Sequence, residues 1–65
     1  MQLPEFQFKI SNKIKDQEGQ TYIINDITYS VLEDCWYYRY SYWQDGYEHY
    51  CYAKTDFVES RYEVV

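Results

Sequence analysis

A chain of 65 residues, 46% hydrophobic and 23% aromatic with ten tyrosines, suffices for one small domain spanning residues 1–65. At this size folding buries only about 60% of the surface the unfolded chain exposes, so large rings must supply much of the core. A net charge of −5 argues against a phosphate-binding surface, two glycines exclude a Gly-rich phosphate loop, and two cysteines are too few for a disulfide scaffold or, even with His49, a four-ligand zinc site.

The acidic residues run from Glu5 to Glu63 without a block of like charge, which is the pattern of a solvated surface. The stretch MQLPEFQF lacks the basic and apolar regions of a secretory signal, and no apolar run approaches the ~20 residues of a membrane span. The expectation is a cytoplasmic chain without membrane contact, with Cys35 and Cys51 as buried free thiols.

In chain order, Phe6, Phe8 and Ile10 alternate with Glu5, Gln7 and Lys9 after Pro4, which predicts a half-buried strand covering or closing an edge. Lys13-Ile14-Lys15 predicts a short strand, ended by Asp16-Gln17-Glu18-Gly19, where Gly19 offers the left-handed conformation a tight return needs. Gln20 to Tyr29 is long and β-branched. Its apolar positions change phase across Asn25-Asp26, from Tyr22 and Ile24 to Ile27 and Tyr29, as a bent strand with a bulge would. Ser30-Val31-Leu32-Glu33 has capping-box spacing and predicts one helical turn or a compact loop.

Trp36 to Tyr52 dominates the chain: nine of its seventeen residues are Tyr or Trp, and Asp45-Gly46 interrupts them. Aromatic rings suit a pleated surface and Asp-Gly suits a tight turn, so a β-hairpin is predicted. Two registers are open. A two-residue loop puts Trp36, Tyr38, Tyr40, Tyr42, Tyr47, His49, Cys51 and Ala53 on one face and every charge on the other, with Tyr37, Arg39, Ser41, Trp43, Glu48, Tyr50, Tyr52 and Lys54. A three-residue loop mixes charge into both faces. The first is preferred because a one-sided core requires that segregation.

Beyond the hairpin, Thr55-Asp56-Phe57-Val58-Glu59 predicts a single 3₁₀ turn capped by Asp56, and Tyr62 to Val65 a last short strand. The series KIKD, Gly turn, QTYIINDITY, loop, aromatic hairpin with Trp43-Gln44-Asp45-Gly46, TDFVE and YEVV resembles the SH3-like small barrels of the Tudor and KOW type over Lys13 to Val65. That resemblance implies an all-β antiparallel barrel of five or six strands with one 3₁₀ turn before the last. It also implies a binding role toward peptides, modified side chains or nucleic acid rather than catalysis. The acidity departs from the basic KOW pattern.

No catalytic set assembles from the remaining chemistry. His49 is the lone histidine, and neither cysteine has a neighbouring helix start or basic run to stabilise a thiolate. No metal ligand set, cofactor motif or enzyme activity is therefore expected. The aromatics exceed what one face of a hairpin can hold, so the outer face becomes the candidate partner-binding surface: Trp43, Tyr50, Tyr52 and Tyr37, with Arg39 and Glu48 setting orientation. Arg39 is expected to lie over Tyr52 in a cation–π contact. The rival explanation is self-packing of those rings across the strands.

Three functions follow in order. The first is a non-catalytic protein-binding module, or self-association through the same face. The second is a small acidic inhibitor of a nucleic-acid-handling host enzyme, encoded by a phage or mobile element; the isoleucine, lysine, asparagine and tyrosine usage suits an AT-rich bacterial or phage genome. The third is single-stranded nucleic-acid binding by ring stacking, which the net charge disfavours.

Overall fold

The computed structural model describes residues 4–65. Five strands and one short helix follow in the order β1 (Lys13–Lys15), β2 (Thr21–Ser30), β3 (Cys35–Gln44), β4 (Tyr47–Lys54), α1 (Thr55–Arg61) and β5 (Glu63–Val64). The strands form one antiparallel sheet in the spatial order β4-β3-β2-β1-β5, so the fold is all-β. The sheet is not closed into a barrel: β4 and β5 lie at opposite edges. With three residues in β1 and two in β5, that side has too little strand to curl round and meet β4.

The aromatic hairpin adopts the two-residue loop. Gln44 faces Tyr47 and the pairing runs unbroken to Tyr37 opposite Lys54. Asp45 (φ 56°) and Gly46 (φ 79°) both take the left-handed conformation, the pattern of a type I′ turn whose twist matches its strands. The bulge in β2 falls at the change of phase: Ile24 pairs with Tyr40 and Asp26 with Arg39, leaving Asn25 as the extra residue. Without it, Ile27 and Tyr29 would turn away from the face that Tyr22 and Ile24 occupy.

One face of the sheet carries the core. Ile14, Ile24, Tyr38 and Tyr40 are buried there beneath Phe8 and Val58. Around them Tyr22 meets Tyr40, Tyr42 and Tyr62 edge to face with centroids 5.4, 5.1 and 5.2 Å apart. Tyrosine suits this rim because each ring fills volume while its hydroxyl reaches a polar partner, as Tyr40 and Tyr62 do with oxygens 3.2 Å apart.

Two expected elements differ. The segment from Glu5 to Ile10 is not a strand: it crosses the core face as irregular chain, with Phe8 buried, Phe6 half-buried and Ile10 exposed. Side-chain oxygens take the place of a neighbouring strand, since Gln7 N–H donates to Glu59 Oε2 at 2.9 Å and Phe8 N–H to the Tyr38 hydroxyl at 3.2 Å. The 3₁₀ turn after β4 is instead the seven-residue α-helix α1. Its N-cap is Lys54, without a side-chain cap, so Asp56 lies inside the first turn, where its charge favours the helix dipole. Buried Val58 anchors the helix, and Tyr62 N–H closes it on the Val58 carbonyl at 3.0 Å.

Candidate functional site

The opposite face of the sheet is the one the charges mark. β3 and β4 present Tyr37, Arg39, Ser41, Trp43, Glu48, Tyr50, Tyr52 and Lys54 there, as the register requires. β2 adds Ile23 before its bulge, opposite Ser41, and Asp26 after it, opposite Arg39. The N-terminal segment and α1 lie on the other side, against the core.

Of the predicted site residues, Trp43, Tyr50 and Tyr52 are 66%, 76% and 58% exposed. Arg39 is exposed and Glu48 half-buried. Tyr37 is different: it is buried, stacked flat on Tyr52 with centroids 4.3 Å apart, and its hydroxyl donates to the Glu33 carboxylate. It supports Tyr52 from beneath and is not itself open to a partner. The expected cation–π contact of Arg39 with Tyr52 is not formed; the Tyr52 ring stacks on Tyr37 instead. Among the described residues Arg39 makes no ion pair, and its guanidinium is left in a groove of about 440 Å³ lined by Asp26, Glu48, Tyr50 and Tyr52.

A chain of hydrogen bonds crosses this face. Asn25 Nδ2 donates to Ser41 Oγ at 2.9 Å, Ser41 Oγ donates to Glu48 Oε2 at 2.6 Å, and the Tyr50 hydroxyl donates to Glu48 Oε1 at 2.9 Å. The Ser41 donor first, and then that of Tyr50, holds the Glu48 carboxyl below its ordinary range, while Glu48 pushes the Tyr50 phenol up. Glu48 thus carries a charge held in place on this face.

Ser41 and Asn25 are the residues sequence reasoning missed. Ser41 is the buried polar side chain among the described residues, and Asn25 reaches it because the bulge re-aims its side chain. The only signal was the phase change itself. Ile23, 40% exposed, was also missed; it lines a second groove with Lys13, Thr21 and Trp43 beside the hairpin turn.

Three other reactive side chains remain, of which Cys51 lines the Arg39 groove. His49 stacks on Tyr42 with centroids 4.9 Å apart on the core side, and Cys35 and Cys51 are free and half-buried. Burial pushes the Cys51 thiol up, away from thiolate reactivity. Among the described residues no three of His, Cys, Asp and Glu come together to hold a metal, and no helix is long and apolar enough to cross a membrane. The carboxylates divide among the N-terminal segment (Glu5), the β1–β2 loop (Asp16, Glu18), the β2–β3 tip (Glu33, Asp34), the hairpin turn (Asp45), the aromatic face (Asp26, Glu48), α1 (Asp56, Glu59) and β5 (Glu63). Comparison with protein-family models, curated proteins and solved structures finds no match to the chain.

Proposed function

We propose that the chain is a non-catalytic protein-binding module that meets its partner through the aromatic face of the β3–β4 hairpin. The observation that carries this reading is the asymmetry of the sheet. One face is covered by Phe6, Phe8 and Val58, while the other leaves Trp43, Tyr50 and Tyr52 in solvent around Arg39. Rings held by a rigid strand pair lose little entropy on binding, and a guanidinium without an internal ion pair is available to orient a partner. The resemblance of the strand series to SH3-like barrels of the Tudor and KOW type supports a binding role, although the sheet here is open.

The scatter of carboxylates over loop, tip, face and helix weighs against an acidic surface that imitates a nucleic-acid backbone, so the inhibitor reading takes second place. Pull-down from lysate followed by a binding assay on the recovered partner tests the proposal. Trp43→Ala and Tyr50→Ala should each weaken the complex by about tenfold or more, the range of aromatic interface anchors. Unchanged affinity in both variants would exclude this face.

A further inference from the structure

The strand β4 ends the sheet, and its outer edge is open. Among the described residues no other backbone segment pairs with it beyond β3. The turn determines which groups are free. Gln44 and Tyr47 flank a two-residue loop as a hydrogen-bonded pair, so Tyr47, His49, Cys51 and Ala53 direct N–H and C=O toward β3. Glu48, Tyr50 and Tyr52 direct theirs outward, as Lys54 does its N–H.

Protein sheets normally blunt such an edge with short strands, prolines, bulges or inward charges. The opposite edge of this sheet follows that rule, since β5 has two residues. In contrast, β4 has eight residues, no proline and no break in its register with β3. Exposed Phe57 stands beside its core-side flank, next to Cys51 and Ala53.

We propose that β4 is a homodimer interface, pairing antiparallel with β4 of a second copy about a two-fold axis at Cys51. The sequence of the edge is self-complementary in that register. Hydrogen bonding requires the outward-directed residues to face one another, and the registers that engage more than two of these four residues are centred on Tyr50, Cys51 or Tyr52. Centring on Cys51 matches the whole edge. It sets Glu48 opposite Lys54 of the second copy and Tyr50 opposite Tyr52, each twice by symmetry. Centring on Tyr50 leaves Lys54 unmatched, and centring on Tyr52 leaves Glu48 unmatched.

A foreign strand would have to bring this alternation of acid, ring, ring and base, whereas β4 already contains it. The pairing joins two five-stranded sheets into one and makes their aromatic faces continuous. The inference stands on the edge groups and does not depend on a partner at the aromatic face.

Light scattering after size exclusion, in reducing buffer over a dilution series, is the test. The wild-type chain should show a concentration-dependent dimer. Tyr50→Pro deletes an N–H that points away from β3, so the hairpin keeps its ladder while the dimer loses a hydrogen bond at each of two symmetric places. Its dissociation constant should rise about ten- to a hundredfold, and that of Tyr50→Thr, which keeps the N–H, by less than about tenfold. Lys54→Glu should weaken the dimer, and Glu48→Lys combined with Lys54→Glu should associate more tightly than either single variant.

At the axis the Cys51 residues form a non-hydrogen-bonded pair, within disulfide reach. Diamide should therefore cross-link Cys35→Ser into dimers but not Cys51→Ser. Far-UV circular dichroism confirms that each variant is folded. A monomer at every concentration, or a dimer indifferent to Tyr50→Pro, would overturn the proposal. So would a dimer lost with Trp43→Ala and kept with Tyr50→Pro, which would place the contact on the face. A Pro-sensitive dimer in which Glu48→Lys combined with Lys54→Glu associates no more tightly than either single variant would overturn the register.

Discussion

Tyr37 and Tyr52 are stacked on the outer face, their ring planes 3° from parallel with centroids 4.3 Å apart, across a diagonal of the β3–β4 ladder. The stack separates two roles that look alike in the sequence: Tyr37 is the buried support, and Tyr52 the exposed ring it holds in place. Tyr37→Ala should cost about 3–5 kcal/mol, as truncating a buried aromatic does, and Tyr52→Ala about 1 kcal/mol. A double-mutant cycle by urea unfolding should return a coupling of about 0.5–1.5 kcal/mol. Additive losses would mean the rings touch without stabilising each other.

The two faces of the hairpin make a second contrast measurable. Tyr40 is buried beside Ile24, and its hydroxyl meets that of Tyr62; Trp43 stands in solvent beside the turn. Chemical denaturation should show Tyr40→Ala destabilised by about 3–5 kcal/mol and Trp43→Ala by about 1 kcal/mol or less. The reverse order would contradict the assignment of faces.

How much of this was legible in the sequence depended on whether a local signal existed. Asp45-Gly46 selects a turn, the turn selects a register, and segregation of Arg39, Glu48 and Lys54 from Tyr38 and Tyr40 chooses the face. Every link there is within the hairpin. The bulge at Asn25 was legible because Ile24 and Ile27 are out of phase. Phe6 and Phe8 were not, because their alternation reads the same whether the chain pairs with a strand or lies across a face. The length of α1 depended on tertiary packing of Val58 rather than on Asp56, and the place of Tyr37 depended on Glu33 and Tyr52, which its own alternation does not name.

Alkaline pH should act through the core tyrosines. Burial is the largest cause of the raised phenol values of Tyr22, Tyr38 and Tyr40, with Asp16, Glu59 and Tyr62 as the respective hydrogen-bond partners. A folded-state value raised above the unfolded one stabilises fully below the unfolded value. That contribution fades as pH rises from about 10 toward the folded values. Unfolding free energy should therefore fall with pH above about 10, and phenolate absorbance of these three rings should rise together with loss of structure. Stability that stays flat over this window would show that these rings ionise as freely folded as unfolded.

The Tyr38 hydroxyl is where three separate segments are tied. It accepts from Phe8 N–H at 3.2 Å and donates to Glu59 Oε2 at 2.7 Å, and the same carboxylate oxygen accepts from Gln7 N–H at 2.9 Å. The irregular segment, β3 and α1 are joined through this one group. Tyr38→Phe keeps the ring, with its contacts to Phe6 and Phe8 at centroid distances of 6.2 and 5.7 Å, and removes only the oxygen. The Phe8 amide is then left without its acceptor against a core in which Phe8 is fully buried. An orphaned buried donor costs about 1–3 kcal/mol, so Tyr38→Phe should lose that much although nothing hydrophobic has been deleted. Hydrogen exchange distinguishes the cause: the amides of Gln7 and Phe8 should lose protection by more than the β3–β4 ladder does, because the segment loosens before the sheet opens. Equal loss at all sites would mean the segment and the sheet unfold as one unit, and no loss at Phe8 would mean its amide is satisfied without the Tyr38 oxygen.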